Sequence, residues 1–163
     1  MSSSGGEHGP DLGEGEVFAL GRAFDGHADP IALYDRLTGQ RPDTLLLEAA
    51  EPNAPEASRS LVMSRAALRV TVHGATARVT PLTPGGHNLI PVVERALSGP
   101  ATLRREEESL VASFPPRPEG DERSRLVAPS VLDAVRACLL GLTIVGGDTA
   151  HPPMMVGSFA YDL

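Results

Sequence analysis

Lysine and tryptophan are absent from this chain of 163 residues, and aromatic residues make up only 4% of it. Its net charge of −7 comes with no visible basic patch. Binding to nucleic acid or to an anionic membrane depends on cationic side chains, so we expect neither kind of partner. Without lysine, a phosphate-binding P-loop is also excluded.

The single cysteine, Cys138, excludes an intrachain disulfide and is typical of proteins from a reducing cytoplasm. Because Cys138 falls in an apolar helical pattern, we expect a buried structural thiol. Residues 1–7 lack the basic and apolar regions of a signal peptide. The longest nearly apolar run, residues 137–147, is too short to span a bilayer. These features predict a soluble cytoplasmic protein.

Length and composition predict one ordinary domain behind a tail. Residues 1–15 are rich in Ser, Gly and Glu, with too little apolar surface to offset the entropy of ordering them, so a disordered tail is expected. Residues 16–163 form the predicted domain. Its elements indicate an α+β fold with a mostly antiparallel sheet and about three helices.

Three helices are predicted from caps and apolar spacing. The first begins at Pro30 behind the cap Asp29 and ends at Gly39, with apolar residues along one face. The second follows the Pro-Gly-Gly at 84–86 and keeps Pro91 in its first turn. Ser130 caps the third, which runs to residue 140.

The strands are predicted from short apolar or alternating runs. Residues 44–49 indicate a buried strand, and Gly74 indicates the turn of a β-hairpin. Residues 101–128 are predicted to be mostly a solvated loop, in which the run Glu106 to Glu108 could hold a cation but is typical of a solvated face. Gly146 to Asp148 is read as a turn. The expected strands are at 44–49, 60–63, 67–73, 75–82, 110–114 and 154–161.

No self-sufficient active site is visible in the sequence. No Gly-x-Ser-x-Gly elbow occurs, and the histidines have no metal-ligand spacing. We therefore predict no catalytic residue, no metal site and no cofactor in this chain. The scattered histidines are His8, His27, His73, His87 and His151.

Glu48 ends the apolar run of the strand predicted at 44–49. A carboxylate in that place could accept charge-assisted hydrogen bonds from a ligand ammonium. The alternative is a glutamate at a sheet edge that faces water. The residues alone leave both interpretations open.

Five segments together resemble the amino-terminal part of anthranilate synthase component I. The resemblance is dense over residues 24–99 and looser over 110–163. It implies that this domain is incomplete at its carboxyl-terminal end, before the catalytic chorismate-binding domain of the family. The segments are Arg41–Ala50, Asp29–Tyr34, Ser60–Met63, Ala67–Val70 and Gly157–Leu163.

The resemblance implies that the whole enzyme converts chorismate and ammonia to anthranilate and pyruvate, the opening step of tryptophan biosynthesis. Mg²⁺ is then expected only in the missing catalytic domain. The implied partners are that domain and a glutamine amidotransferase component II, which supplies the ammonia. The chain by itself is expected to be an inactive regulatory and scaffolding part.

The resemblance also implies part of a feedback site for L-tryptophan, formed by Leu47, Glu48, Ala49 and Arg59. Ala49 stands where the family has a serine, and Arg59 stands where it has a lysine. Losing one hydroxyl hydrogen bond weakens binding about two- to tenfold. Arginine keeps the charge with a different geometry. Tryptophan binding is therefore expected to be weak or absent.

The sequence stops at Leu163, directly after the strand predicted at 154–161 and without a polar tail, and we therefore expect a truncated chain. Three hypotheses remain. The chain is the amino-terminal domain of an anthranilate synthase, or it complements a separately encoded catalytic domain. The third hypothesis is a standalone small-molecule-sensing or interaction module that kept the fold without the activity.

Overall fold

The computed structural model describes residues 11–21, 29–49, 59–147 and 153–158, which contain eight strands and four helices. The sheets are mostly antiparallel, so the α+β prediction is confirmed, with one helix more than expected. None of these helices is long and apolar enough to cross a membrane. The strands are β1 (Glu16–Ala19), β2 (Leu45–Ala49), β3 (Arg59–Met63), β4 (Leu68–His73), β5 (Thr76–Pro81), β6 (Thr102–Glu106), β7 (Ser109–Ser113) and β8 (Thr143–Gly147). The helices are α1 (Pro30–Thr38), α2 (Pro84–Leu97), α3 (Glu122–Val127) and α4 (Leu132–Leu140).

The core lies between a four-stranded antiparallel sheet, in the order β4-β5-β7-β6, and helices α2 and α4. Alternation along β5 places Ala77 and Val79 on the side that faces the helices, where both are fully buried. Arg78 and Thr80 lie on the other side. Cys138 is buried in this core, as predicted. The cluster consists of Ala77, Val79, Ile90, Val93, Leu97, Leu110, Ala112, Phe114, Ala134, Ala137 and Cys138.

Helix α1 has the ends that the sequence predicts. The Asp29 carboxylate accepts the Ile31 N–H at 3.0 Å, and Gly39 ends the helix with a φ of 55°. Its apolar face, however, is only partly covered by described residues, since Tyr34 is half-buried but Ile31, Leu33 and Leu37 are exposed. This helix therefore presents an apolar surface.

Two helix starts differ from prediction. Thr83 caps α2, with its hydroxyl accepting the Gly86 N–H at 3.0 Å, so the helix begins at Pro84. Pro91 consequently lies about two turns inside α2 instead of in its first turn. Ser130 does not cap α4 with its side chain. Its backbone N–H instead donates to the Asp133 carboxylate at 2.8 Å.

The segment predicted as a solvated loop contains a β-hairpin, β6–β7, and the short helix α3. Glu107 turns the hairpin with a φ of 54°. The loop prediction is wrong for β6 because this strand lies at the edge of the sheet, where charged side chains reach water without leaving the ladder. Only Leu103 of β6 packs against the core cluster.

The carboxyl-terminal part also departs from prediction. Residues 153–158 form no strand, and the rest of the strand predicted at 154–161 lies outside the described residues. The last strand among the described residues is β8, which pairs in parallel with β1, a strand that was not predicted. The turn predicted from Gly146 is likewise wrong, because Gly146 and Gly147 end β8. The apolar run before these glycines pairs with the apolar β1.

The predicted tail lies outside the described residues as far as residue 10. Residues 11–15 lead into β1 through a turn, in which the Glu16 N–H donates to the Gly13 carbonyl at 3.1 Å. The Gly15 carbonyl accepts the Thr143 N–H at 2.8 Å. The division of the chain at residue 16 stays a prediction.

Candidate functional site

Strands β2 and β3 form an antiparallel ladder that is separate from the four-stranded sheet. We call these ten paired residues, Leu45–Ala49 and Arg59–Met63, the β2–β3 ladder. Helix α1 packs against both strands. The prediction that β2 is a buried strand is wrong, since Leu47 is 48% exposed and Glu48 is exposed. A two-stranded ladder under a single short helix is too small to bury both of its faces.

All four residues of the predicted tryptophan site lie in this ladder, between its central pair and the end formed by Ala49 and Arg59. Leu47 and Glu48 precede Ala49 on β2. Ala49 pairs with Arg59, and Glu48 pairs with Ser60. Residues ten positions apart in the sequence, Ala49 and Arg59, are thus direct neighbours across the ladder.

The ladder offers two kinds of surface. Successive residues of a strand point to opposite faces, so Leu47 and Glu48 lie on different sides. Leu47 pairs with Leu61, and both are exposed, which gives one face an apolar surface. The Glu48 carboxylate can accept hydrogen bonds from an ammonium group, but water competes for it at this exposed position. An exposed carboxylate of this kind contributes less to binding than a desolvated one.

The residues before β2 tie the ladder to α1. The hydroxyls of Tyr34 and Thr44 are hydrogen bonded at 2.8 Å, and the Thr44 hydroxyl donates to the Arg41 carbonyl at 2.9 Å. The Arg41 guanidinium donates to the carbonyls of Thr38 and Leu37, at 2.8 and 2.7 Å. These bonds satisfy carbonyls at the end of α1 and hold β2 beside it.

The same stretch contacts the four-stranded sheet through an ion pair. Arg69, on β4, donates from Nε to Asp43 Oδ1 at 2.6 Å and from Nη2 to Oδ2. These hydrogen bonds from Arg69 hold the pKa of the Asp43 carboxyl below its usual value and raise the pKa of Arg69. Both groups therefore stay charged at neutral pH.

A half-open cleft of about 550 Å³ lies elsewhere, between the β4–β5 turn, the segment after β7 and the start of α4. Its lining includes His73, Phe114, Arg117 and Val131. His73 ends β4, whereas Arg69, which contacts Asp43, lies near the start of that strand. None of the four predicted site residues lines this cleft.

No family model matches the chain. Among curated proteins, anthranilate synthase component 1 from Serratia marcescens is 39% identical over 136 residues, which are 83% of this chain and 26% of that protein. The same component from Escherichia coli strain K12 is 35% identical over 136 residues, with the same two shares. Component 1 from Citrobacter freundii is 34% identical over 122 residues, which cover 74% of this chain and 80% of that protein. This chain belongs to the anthranilate synthase component 1 family.

Membership of the anthranilate synthase component 1 family confirms the resemblance that the run Arg41–Ala50 and its neighbours predicted. The chain spans about a quarter of the length of the Serratia and Escherichia coli relatives.

The described residues of this family member contain no group of three or more His, Cys, Asp or Glu residues that could hold a metal ion. Burial raises the pKa of the Cys138 thiol to about 11, so it stays protonated at neutral pH and is a poor nucleophile.

Two of the three glutamates that could have bound a cation, Glu106 and Glu108, contact basic side chains instead. Glu106 contacts Arg78 and Arg104 on the open side of the sheet, and its pKa is lowered, mainly by the hydrogen bond from Arg78. Glu108 lies 3.1 Å from the ring of His87. In this family member, residues 106–108 therefore act as part of a hairpin and its ion pairs.

Asp43 and Arg69 were missed by sequence reasoning. They are 26 positions apart and lie on different elements, so no spacing links them. The available signal was weak. Asp43 lies between Pro42 and the strand, where a residue with a left-handed φ of 59° is compatible with aspartate.

Proposed function

We propose that this chain supplies the amino-terminal regulatory and scaffolding part of an anthranilate synthase, with part of the tryptophan feedback site and no catalytic residue. In the complete enzyme, a catalytic chorismate-binding domain would convert chorismate and ammonia to anthranilate and pyruvate. Glutamine amidotransferase component II would supply the ammonia. This function belongs to tryptophan biosynthesis in the cytoplasm.

The observation that carries the proposal is the register of the β2–β3 ladder. The pairing of Ala49 with Arg59 brings the backbones of the four candidate residues into one short stretch of the ladder. A carboxylate suits the ammonium group of an amino acid. Leu47 lies on the opposite face of the ladder, so the apolar ring of a ligand held by Glu48 would need a surface from the catalytic domain. Regulation would follow if the bound amino acid favoured one conformation of the catalytic domain.

The scaffolding role is supported by exposed apolar side chains on the ladder and on α1. Isolated exposed leucines are ordinary, but several on adjoining elements form a surface suited to another protein domain. Relatives about four times longer have further chain that could cover this surface. The exposed residues are Ile31, Leu33, Leu37, Leu47 and Leu61.

The described residues do not fit the Mg²⁺ that the family resemblance implies. They offer no cluster of three ligating side chains, and Mg²⁺ is usually bound through carboxylates with retained water. The metal is therefore proposed to bind in the catalytic domain.

The proposed affinity for L-tryptophan is weak. Alanine at position 49 has no hydroxyl to donate or accept a hydrogen bond. Glu48 is exposed in the described structure, and an exposed charge contributes less than a desolvated one. A tighter site would need residues of the catalytic domain to exclude water.

Titration with L-tryptophan tests the proposal directly. The chain has no tryptophan, so indole fluorescence and its anisotropy report the ligand alone. Ala49→Ser should tighten binding about two- to tenfold by restoring a hydroxyl. Glu48→Gln should weaken binding about tenfold or more, because a hydrogen bond to a charged group is lost.

Glu119→Gln is the matched control, since Glu119 is an exposed glutamate outside the ladder. It should leave the affinity unchanged. Tight binding by the unmodified chain would contradict the weak affinity, and binding that ignores Glu48→Gln would contradict the site. A thermal shift with another amino acid and none with tryptophan would favour the standalone sensing module.

A further inference from the structure

The β2–β3 ladder and helix α1 form a unit with no described apolar anchor in the core. The buried core cluster contains no residue from positions 29–63. Within the described residues, β2 and β3 pair only with each other. The orientation of this unit on the four-stranded sheet must therefore come from other contacts.

One attachment is covalent. Residues 64–67 connect β3 to β4, and the Ala67 carbonyl is held by the Leu82 N–H at 2.9 Å. A short linker limits the distance between two elements. It leaves the angle between them free, because each linking residue has two soft dihedral angles. A second point of attachment is needed to fix the orientation.

Asp43 and Arg69 provide that second point. Asp43 lies two residues before β2, and Arg69 is the second residue of β4, paired with Thr80 of β5. The two hydrogen bonds run side by side from the planar guanidinium to the two carboxylate oxygens. A paired contact of this kind fixes direction as well as distance. Within the described residues, no other hydrogen bond joins the unit to the sheet.

We propose that Asp43 and Arg69 are a positioning pair that fixes the orientation of the β2–β3 ladder on the four-stranded sheet. The functional value of this pair rests on the proposed function, since the ladder carries Glu48 and Ala49. A tilt of the ladder would move both residues relative to any domain packed on the sheet. The lowered pKa of Asp43 keeps the pair charged at neutral pH.

Amide hydrogen exchange, followed by NMR on the full chain without ligand, tests the pair. Asp43→Asn should speed exchange in the β2–β3 ladder about two- to fivefold, the range expected for one partly exposed ion pair. Exchange in β5 and β7 should not change. Arg69→Lys keeps the positive charge but cannot form the two parallel hydrogen bonds of a guanidinium. It should therefore cause a smaller acceleration of exchange in the ladder.

Glu94→Gln is the matched control, because it removes the ion pair of Glu94 with Arg105, which is 45% exposed compared with 46% for Arg69. It should leave the ladder unchanged. Equal acceleration in the ladder and in β5 and β7 would overturn the proposal, since it would show a general loss of stability. An unchanged ladder in Asp43→Asn would overturn it as well.

The two proposals fail separately. If neither the unmodified chain nor Ala49→Ser bound tryptophan, the proposed feedback site would be wrong. The exchange result would still decide whether Asp43 and Arg69 are a positioning pair. If tryptophan bound as expected and Asp43→Asn did not loosen the ladder, the positioning pair alone would be wrong.

Discussion

Strands β2 and β7 carry similar apolar runs in very different surroundings. In β7, Leu110 and Ala112 are fully buried. In β2, Leu46 is only partly buried and Leu47 is 48% exposed. Strand β7 has a neighbour on each side and helices over one face, whereas β2 has a single neighbour and α1. The number of neighbouring elements, not the run itself, decides the burial.

On the face of the four-stranded sheet that points away from the helices, charged side chains also bury an apolar residue. Val111 of β7 faces away from the helices, yet it is 1% exposed. It lies opposite Arg78 on β5 and Arg104 on β6, and both arginines contact Glu106. The apolar stems of arginines can cover such a residue while their charged ends stay in water. The ladder has no equivalent cover in the described residues, so its apolar surface stays available for a partner.

The largest expected difference between the two regions is in the cost of truncating a leucine. Leu110→Ala should lower the free energy of unfolding by about 2–5 kcal/mol, because it opens a cavity in a packed core. Leu47→Ala should lower it by less than about 1 kcal/mol, since its side chain is already half in water. Urea denaturation followed by circular dichroism measures both. Similar losses for the two variants would show that the ladder is buried as deeply as the core.

The second largest effect is expected where helix α2 contacts residues 64–67, which link the β2–β3 ladder to the four-stranded sheet. A Cβ at Gly86 would overlap the carbonyl oxygen of Ala67, which is backbone just before β4. Gly86→Ala should therefore cost about 1–3 kcal/mol of unfolding free energy, as overpacking does. At the adjacent Gly85 the nearest atom is the Thr83 hydroxyl oxygen, 3.8 Å away. Gly85→Ala should be neutral or stabilise by up to about 1 kcal/mol, because alanine favours the helix.

Thermal unfolding of the two alanine variants, measured side by side, tests the junction. An unchanged stability for Gly86→Ala would mean that α2 can move away from Ala67 without loss. The contact between the core helix and the linker to the ladder would then be loose.

The sequence predicts elements that local rules determine. Asp29, Pro30 and Gly39 mark α1 because a cap, a first-turn proline and a left-handed glycine act within a few residues. The hairpin around Gly74 follows from alternation for the same reason. The exposure of β2 and the strand β6 were not predicted, because both depend on which strands become neighbours. The charged run in β6 is typical of a loop until its place at a sheet edge is known.

In the candidate site, too, the sequence predicts what is local and not which strands or side chains become neighbours. Leu47, Glu48 and Ala49 are adjacent in sequence, and the resemblance supplied Arg59. The pairing of Ala49 with Arg59 is a matter of register, which the structure gives. The contact of Asp43 with Arg69 depends on how the ladder lies against β4, and no local pattern contains that information.

The smallest expected difference between the β2–β3 ladder and the four-stranded sheet is in how their stability depends on acid pH. Arg69 lowers the pKa of Asp43 from its usual 3.8, and Arg78 with Arg104 lowers that of Glu106 from 4.5. A carboxylate whose pKa is lower in the folded state stabilises the fold above its unfolded value and loses that effect as the pH falls through its folded value. As the pH falls below these usual values, resistance to urea should therefore decrease through Glu106 and ladder protection through Asp43. Glu106→Gln should flatten only the urea dependence, and Asp43→Asn only the ladder dependence. If either substitution flattened both curves, the ladder and the core would unfold as one unit.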